Sequence, residues 1–135
     1  MTINLPESDY PLLLRTDFSN DLNWNKILEK IKSPQNEYEA VINFVSDKKF
    51  EALPLDHLPH FEIDQDEHDF IFLADEVSMN HIDQPILCID LADEFGKNFR
   101  ILPSILWAAA NNLFISNMEF NDFADTVDEE GIYRR

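Results

Sequence analysis

Short apolar runs separated by polar stretches divide the chain and predict five β-strands. The runs lie at residues 12–16, 38–46, 70–74, 85–92 and 99–102, and are rich in Leu, Ile, Phe and Val. Apolar runs of this length, bounded by turn-forming residues, are typical of strands. The turn ADEFGKN before the fifth run contains Gly96, which favours an antiparallel hairpin between the fourth and fifth strands.

Helical spacing of apolar residues predicts two amphipathic helices. The first covers residues 20–32, where Ser19, Asn20 and Asp21 are all good caps and Ser19 or Asp21 is the expected one, and the second covers residues 119–127. The apolar positions expected to be buried are Trp24, Ile27, Leu28, Ile31, Phe120 and Phe123. Both helices are therefore expected to pack against the sheet.

Weaker signals predict the remaining elements. Asp47 is expected to cap a short helical segment at residues 48–53, and Pro103 to open a helix at residues 104–110 that ends at Asn111. Residues 113–116 (LFIS) fit a continuation of that helix or a sixth strand, and we prefer the strand. The last residues, EEGIYRR, are interpreted as a tail.

The order of these elements predicts an α/β fold in a single globular domain over residues 1–135. Its centre is a mixed β-sheet of about five or six strands, with helices packed on it. Several strands are apolar at every position, so both faces of the sheet must be covered. Helices are therefore expected on both sides of the sheet.

The charge of the chain restricts its partners. Asp and Glu number 27 and Lys and Arg only 10, for a formal net charge of −17. Such a surface repels nucleic acid and anionic lipid and attracts a basic protein. With only two glycines, the chain has no glycine-rich phosphate loop. We expect no nucleic acid, no membrane and no cofactor as partners, and a cytoplasmic location.

Three apolar strands end in an aspartate, at Asp17, Asp75 and Asp90. If these strands were parallel neighbours, the three carboxylates would converge at one edge of the sheet, where Mg²⁺ could bind and support hydrolysis. Aspartate is also common where a strand gives way to a turn or a helix cap, and we favour this structural interpretation. Asp17 is expected to hold the turn into the first helix.

A charged residue precedes the first of these aspartates. Arg15 and Asp17 are two positions apart on a strand, so their side chains point to the same face. An arginine at the end of a buried strand requires an anionic partner. The expected partner is Asp17, Asp75 or Asp90.

No metal site is predicted from the histidines. His57, His60 and His68 lie near one another in the sequence, but Pro59 makes a regular helical pair of ligands improbable. The chain's one cysteine, Cys88, lies inside an apolar run and is interpreted as a small buried hydrophobic residue.

Five segments together resemble a known family. They are LLLRTDFSND, FIFLADEVSM, PILCIDL, FRILPSILW and NNLFISNMEFNDFAD. They are similar to an uncharacterised bacterial domain-of-unknown-function family of small acidic proteins, over about residues 11–134. The resemblance is most specific in RTDFS and NNLFISNMEFNDFAD. It implies a stand-alone bacterial cytosolic domain and carries over no catalytic residue.

Two main functions remain open. The first is a non-enzymatic acidic binding protein, of the inhibitor or immunity type, that neutralises a basic partner by charge complementarity. The alternative is a small metal-dependent hydrolase built on Asp17, Asp75 and Asp90, with Arg15 beside them. A third possibility is a structural subunit that dimerises through its aromatic C-terminal segment.

Overall fold

A computed structural model describes residues 5–32, 39–51 and 68–134 of the protein. The described strands are β1 (Leu12–Arg15), β2 (Asn43–Val45), β3 (Phe70–Ala74), β4 (Ile86–Asp90), β5 (Asn98–Ile101) and β6 (Ile132–Tyr133). The described α-helices are α1 (Asp21–Lys32), α2 (Glu76–Asn80), α3 (Leu106–Phe114) and α4 (Phe120–Ala124). Two short 3₁₀ turns cover Lys48–Phe50 and Pro103–Ile105.

The strands form one six-stranded mixed sheet in the order β2-β1-β3-β4-β5-β6. Strand β1 runs parallel to both β2 and β3, and β5 runs parallel to β6. Strand β4 runs antiparallel to its two neighbours, β3 and β5. The mixed α/β sheet and the β4–β5 hairpin are therefore confirmed. Each described strand lies within or one residue beyond a predicted run, except β6.

Helix α1 forms where the apolar spacing predicted it. The side chain of Asn20 accepts a hydrogen bond from the Asn23 amide (3.0 Å), so Asn20 is the cap and the expectation of Ser19 or Asp21 was wrong. Lys30 and Lys32 lie in the last turn, where their positive charges favour the carbonyl end of the helix. The side chains that α1 buries are those of Trp24, Ile27 and Ile31, whereas Leu28 is half-buried.

The two faces of the sheet are covered differently. All four described α-helices contribute to the core on one face, with Phe72 and Phe123 among its buried members. On the other face, the described residues that pack on the strands include Phe50, from the first 3₁₀ turn, and Leu5. Helices were expected on both faces of the sheet. In the described part of the chain, the α-helices lie on the first face only, and the 3₁₀ turn at Lys48–Phe50 packs on the second.

The C-terminal third contains the largest corrections. Helix α3 continues through Leu113 and Phe114, so residues 113–116 are not a strand. The sixth strand comes instead from Ile132–Tyr133, within the segment interpreted as a tail, and it pairs with β5. The predicted helix at residues 119–127 is only five residues long, but Phe123 is buried as expected and Phe120 is half-buried.

Two short elements compare differently with the sequence analysis. Asp47 caps the 3₁₀ turn by accepting a hydrogen bond from the Lys49 amide (3.0 Å), as expected, while residues 52 and 53 lie outside the described residues. Helix α2, directly after β3, was not predicted. Its five residues are too few to show the apolar periodicity on which helix prediction depends.

Candidate functional site

The structure divides the three strand-end aspartates between two edges of the sheet. Arg15 pairs in register with Ala74, so Asp17 and Asp75 lie beyond the carboxyl ends of two parallel strands. Asp90 pairs in register with Phe70, the first residue of β3. A five-residue strand is about 16 Å long, so Asp90 lies at the opposite edge. The convergence of three carboxylates, which required three parallel neighbours, does not occur.

Asp17 shapes the turn between β1 and α1. Its Oδ1 accepts hydrogen bonds from the amide (2.9 Å) and the hydroxyl (2.5 Å) of Ser19. This arrangement fixes the backbone two residues ahead, as aspartate commonly does in turns. The carboxylate therefore bonds to the turn itself and not to the first-turn amides of α1.

Arg15 is paired with a residue that sequence reasoning did not select. Its Nη2 donates to Oδ1 of Asp21 (2.7 Å), and its Nε donates to the backbone carbonyl of Asp17 (2.9 Å). The guanidinium also lies over the rings of Phe18 and Trp24, at 4.5 and 5.4 Å from their centroids. The side chain of Arg15 is 5% exposed and that of Asp21 is 83% exposed. The carboxylate that pairs with the buried cation is thus that of the first residue of α1, and not that of Asp17, Asp75 or Asp90 as expected.

Asp75 is the most constrained of the three aspartates. Arg100 donates to it through Nη1–Oδ1 (3.0 Å) and Nη2–Oδ2 (2.8 Å), a bidentate pair. The Ser78 amide donates to Oδ1 (3.1 Å), which caps α2. The Ser78 hydroxyl lies 3.1 Å from the same oxygen and 2.7 Å from the Pro85 carbonyl, so its one proton is shared between them. Burial acts to raise the pKa of Asp75, but the bonds and charge of Arg100, together with the Ser78 bonds, hold it below its ordinary value.

Asp90 organises the β4–β5 turn. Its Oδ1 accepts from the Ala92 amide (2.9 Å) and its Oδ2 from the Glu94 amide (3.0 Å). The Asp90 backbone is bonded as well, to the carbonyl of Lys97 and the amide of Gly96. Gly96 has a φ of 93°, a left-handed conformation that favours glycine. Both carboxylate oxygens of Asp90 are therefore engaged in the turn.

These contacts limit what the three aspartates can do chemically. Asp75 and Asp90 use both carboxylate oxygens for hydrogen bonds, and Asp17 uses one. Within residues 5–32, 39–51 and 68–134, no group of three His, Cys, Asp or Glu side chains could hold a metal ion. His57 and His60 lie outside the described residues, and Nε2 of His68 contacts the carbonyl of Pro6 at 3.0 Å.

A groove follows the opposite edge of the sheet, where β1 and β3 begin. It consists of three adjoining cavities of about 440, 130 and 460 Å³. The first two share Asp69, Phe70 and Leu113, and the last two share Ser8, Asp9 and Tyr10. We call this feature the amino-edge groove. Its acidic lining residues are Glu7, Asp9, Asp69, Asp90, Asp93 and Glu119, and the described lining includes no lysine or arginine.

A second acidic feature adjoins the groove. Six of the residues in the segment 119–130 carry a carboxylate, and all six are exposed: Glu119, Asp122, Asp125, Asp128, Glu129 and Glu130. This segment contains no lysine or arginine. Lys97 approaches it from the β4–β5 turn, with Nζ at 2.6 Å from Asn121 Oδ1 and 3.5 Å from Asp125 Oδ1. We call residues 119–130 the acidic segment.

Comparison with known families agrees with the resemblance seen in the sequence. Residues 10–135 match the model of the family described as Domain of unknown function (DUF6924). The chain belongs to this family. No curated protein matches the DUF6924 chain. Among its described residues, no helix combines the length and the apolar character needed to cross a membrane.

Arg100 of the DUF6924 domain, which lies on β5 and pairs with Asp75, was not predicted from the sequence. A signal was present, because Arg100 interrupts the apolar run FRIL just as Arg15 interrupts LLLRT. The requirement of a buried-strand arginine for an anionic partner applies equally to both. The groove had no comparable signal, because it joins residues near positions 8, 69, 92 and 117 that only the sheet order brings together.

Proposed function

We propose that this protein is a non-enzymatic acidic binding protein that neutralises a basic partner, in the manner of an inhibitor or immunity protein. The observation that carries the proposal is the acidic segment. Its six carboxylates are all exposed on one short stretch of chain. The β4–β5 turn adds Asp93, which lines a cavity together with Glu119, and Glu94, which shares Lys97 with Asp125. A surface of this kind steers a positively charged protein towards it and accelerates association.

The charge on this surface is only partly compensated. Lys97 lies 3.4 Å from Glu94 and 3.5 Å from Asp125, and Arg134 reaches Asp128 and, at 3.5 Å, Glu130. These cations are outnumbered by the carboxylates around them. Bringing like charges together on a fold is unfavourable by itself. A partner that supplies positive charge would relieve this repulsion, which gives a physical reason for binding.

The alternative, a metal-dependent hydrolase, has less support. Asp17 and Asp75 lie at one edge of the sheet and Asp90 at the other. All three accept hydrogen bonds from backbone amides, and Asp75 is also held by a guanidinium. A catalytic carboxylate needs free oxygens directed at a common point.

The test starts with capture of basic proteins from an extract of the native host by a tagged copy of the chain at about 50 mM salt. Each protein retained is then purified and titrated against the chain by calorimetry. A supporting result is a 1:1 complex with a basic protein that weakens steeply as salt rises to about 200 mM and that blocks the activity of that protein.

A matched pair of variants makes this test specific. The double variant Asp125→Asn/Glu129→Gln removes two charges from the acidic segment, and Glu29→Gln/Glu76→Gln removes two exposed charges elsewhere. We expect the first to weaken the complex about tenfold and the second less than about threefold. Equal weakening, or a host partner without a basic surface, would contradict the proposal.

A further inference from the structure

We propose that the amino-edge groove binds an extended, arginine-containing segment of a basic protein. This inference rests on the proposed function and adds where the partner docks and what chemistry it presents. Three features of the groove carry it: its length, the uncompensated carboxylates along it, and the pair of exposed rings at its middle.

The length of the groove fits an extended peptide. Its lining begins beside Asn43 at the start of β2 and continues to Asp90 at the end of β4. It therefore crosses the ends of four adjacent strands, β2, β1, β3 and β4. Three strand spacings amount to about 14 Å, which is the length of four to five extended residues. A single bound ion would occupy only a small part of this space.

Four of the carboxylates along the groove have no partner among the described residues. The side chains of Glu7, Asp9, Asp69 and Asp93 are all exposed. None of them has a hydrogen bond or ion pair to another residue in the described ranges. They differ in this respect from Asp90, which is bonded to two amides. Four unpaired carboxylates along one path favour a ligand with several positive charges.

The rings at the middle of the groove favour arginine over lysine. Tyr10 is 52% exposed and Phe114 is 45% exposed, and their rings pack edge to face with centroids 6.1 Å apart. Exposed aromatic faces next to carboxylates attract a guanidinium, which stacks on the ring and binds the carboxylate with its planar fork. The ammonium of lysine cannot do both with the same geometry.

The floor of the largest cavity accepts apolar side chains. Phe70 at its base is buried, and Leu113, Met118 and Phe120 are half-buried around it. Side chains alternate in direction along an extended segment. Apolar residues could therefore face this floor while the intervening arginines extend to the acidic rim. The preferred segment alternates arginine with residues such as leucine.

The probe that tests this inference is a fluorescent peptide of alternating arginine and leucine, blocked at both ends. Its binding to the full chain is followed by anisotropy at about 150 mM salt, where exposed charges more than about 8 Å apart are screened. Peptides with lysine or glutamate in place of arginine are the first controls. We expect 1:1 binding of the arginine peptide, about two- to fivefold weaker binding of the lysine peptide, and no binding of the glutamate peptide.

Two double variants in the groove and one control locate the site, and none of the three should disturb folding because the replaced side chains are all exposed. We expect Asp69→Asn/Asp93→Asn to lower the affinity for the arginine peptide about tenfold. The control Glu29→Gln/Glu76→Gln should change this affinity less than about twofold. Tyr10→Leu/Phe114→Leu should abolish the preference for arginine over lysine. Circular dichroism confirms that each variant is folded.

The outcomes separate this inference from the proposed function. If the groove variant and the control variant bind the peptide equally, the groove is not the site and this inference is wrong, while the proposed function is unaffected. If the arginine peptide does not bind the unmodified chain, the inference is wrong. Suppose that a basic host protein is captured and that its affinity for the chain is unaffected by Asp69→Asn/Asp93→Asn. This result would support the proposed function and show that the groove is not the binding site.

Discussion

Arg100 and Asp75 form a bidentate pair that joins two strands across the one between them. Asp75 follows β3, Arg100 lies on β5, and β4 separates these strands in the sheet. At the start of β4, the Pro85 carbonyl accepts hydrogen bonds from Arg100 Nη1 (3.3 Å) and Ser78 Oγ (2.7 Å). One guanidinium thus ties together β3, β4, β5 and the cap of α2.

Removing this guanidinium should destabilise the fold. The side chains of Arg100 and Asp75 are 18% and 23% exposed, so Arg100→Met leaves a largely buried carboxylate with only its Ser78 bonds. We expect the free energy of unfolding, measured in urea, to fall by about 1–3 kcal/mol. Glu94→Gln, which breaks a more exposed pair with Lys97, should change it by less than about 0.5 kcal/mol. Equal effects would show that the Arg100 pair has no special role.

Acid should remove part of this stabilisation. The pKa of Asp75 is lower in the folded chain than its ordinary value of 3.8, so the folded state favours the ionised form. The resulting stabilisation is present above the ordinary pKa of 3.8 and is lost as the pH falls through the lowered folded pKa. Urea unfolding of the unmodified chain and of Asp75→Asn should therefore differ most near neutral pH, and the difference should shrink as the pH falls below about 4. A difference that grows on acidification would contradict this assignment.

Phe123 should be a major contributor to the core. It is 1% exposed, stacks on Phe99 at 5.8 Å between centroids and meets Tyr133 edge to face at 5.1 Å. We expect Phe123→Ala to lower the free energy of unfolding by about 3–5 kcal/mol. Phe114→Ala, at an exposed ring, serves as the control and should lower it by less than about 1 kcal/mol.

Replacing Asp17 tests whether it has more than a structural role. Arg15 binds the backbone carbonyl of Asp17 and the carboxylate of Asp21, so Asp17→Asn leaves both of these bonds in place. An asparagine oxygen can also accept the Ser19 bonds. We therefore expect a loss of no more than about 1 kcal/mol in unfolding free energy, with no change in partner affinity. Lost binding at unchanged stability would make Asp17 a functional residue.

Raising the salt concentration should stabilise the fold at neutral pH. With a net charge of −17, the folded chain repels itself, and added ions screen this repulsion. We expect a higher Tm in about 500 mM than in about 20 mM sodium chloride. Neutralising Asp69 and Asp93 should reduce this salt effect, because these residues lie close to other carboxylates.

The central part of the fold was predictable because its signals are local. Wholly apolar runs such as Phe70–Ala74 and the periodic residues of Asp21–Lys32 leave few alternatives. Strand Ile132–Tyr133 was missed because two residues carry no periodicity, and its place depends on β5 being available beside it. The predicted helix at residues 104–110 ended too early because asparagine, here Asn111 and Asn112, is common at helix ends. Here, however, the Asn111 side chain bonds the backbone of Glu39 and Val41.

The candidate site was only half predictable. The strand-end positions of Asp17, Asp75 and Asp90 could be read from the sequence, but the direction of each strand could not. The antiparallel course of β4 places Asp90 at the other edge. The ion-pair partner of Arg15 could not be predicted from the sequence either. Arg15 pairs with Asp21 because the fold brings the first residue of α1 close to the end of β1.

The position of β1 between β2 and β3 also has a consequence for the order in which the chain folds. Strands β3, β4 and β5 follow one another and pair through short connections, whereas the bond from Thr16 to the Ala74 carbonyl joins residues 58 positions apart. Closing so long a loop has a large entropy cost before any contact compensates for it. We expect the β3–β5 meander to form first and β1 to insert afterwards. In pulsed hydrogen exchange during refolding, the amides of Cys88 and of Asp90, which donates to the Lys97 carbonyl, should then gain protection before that of Thr16.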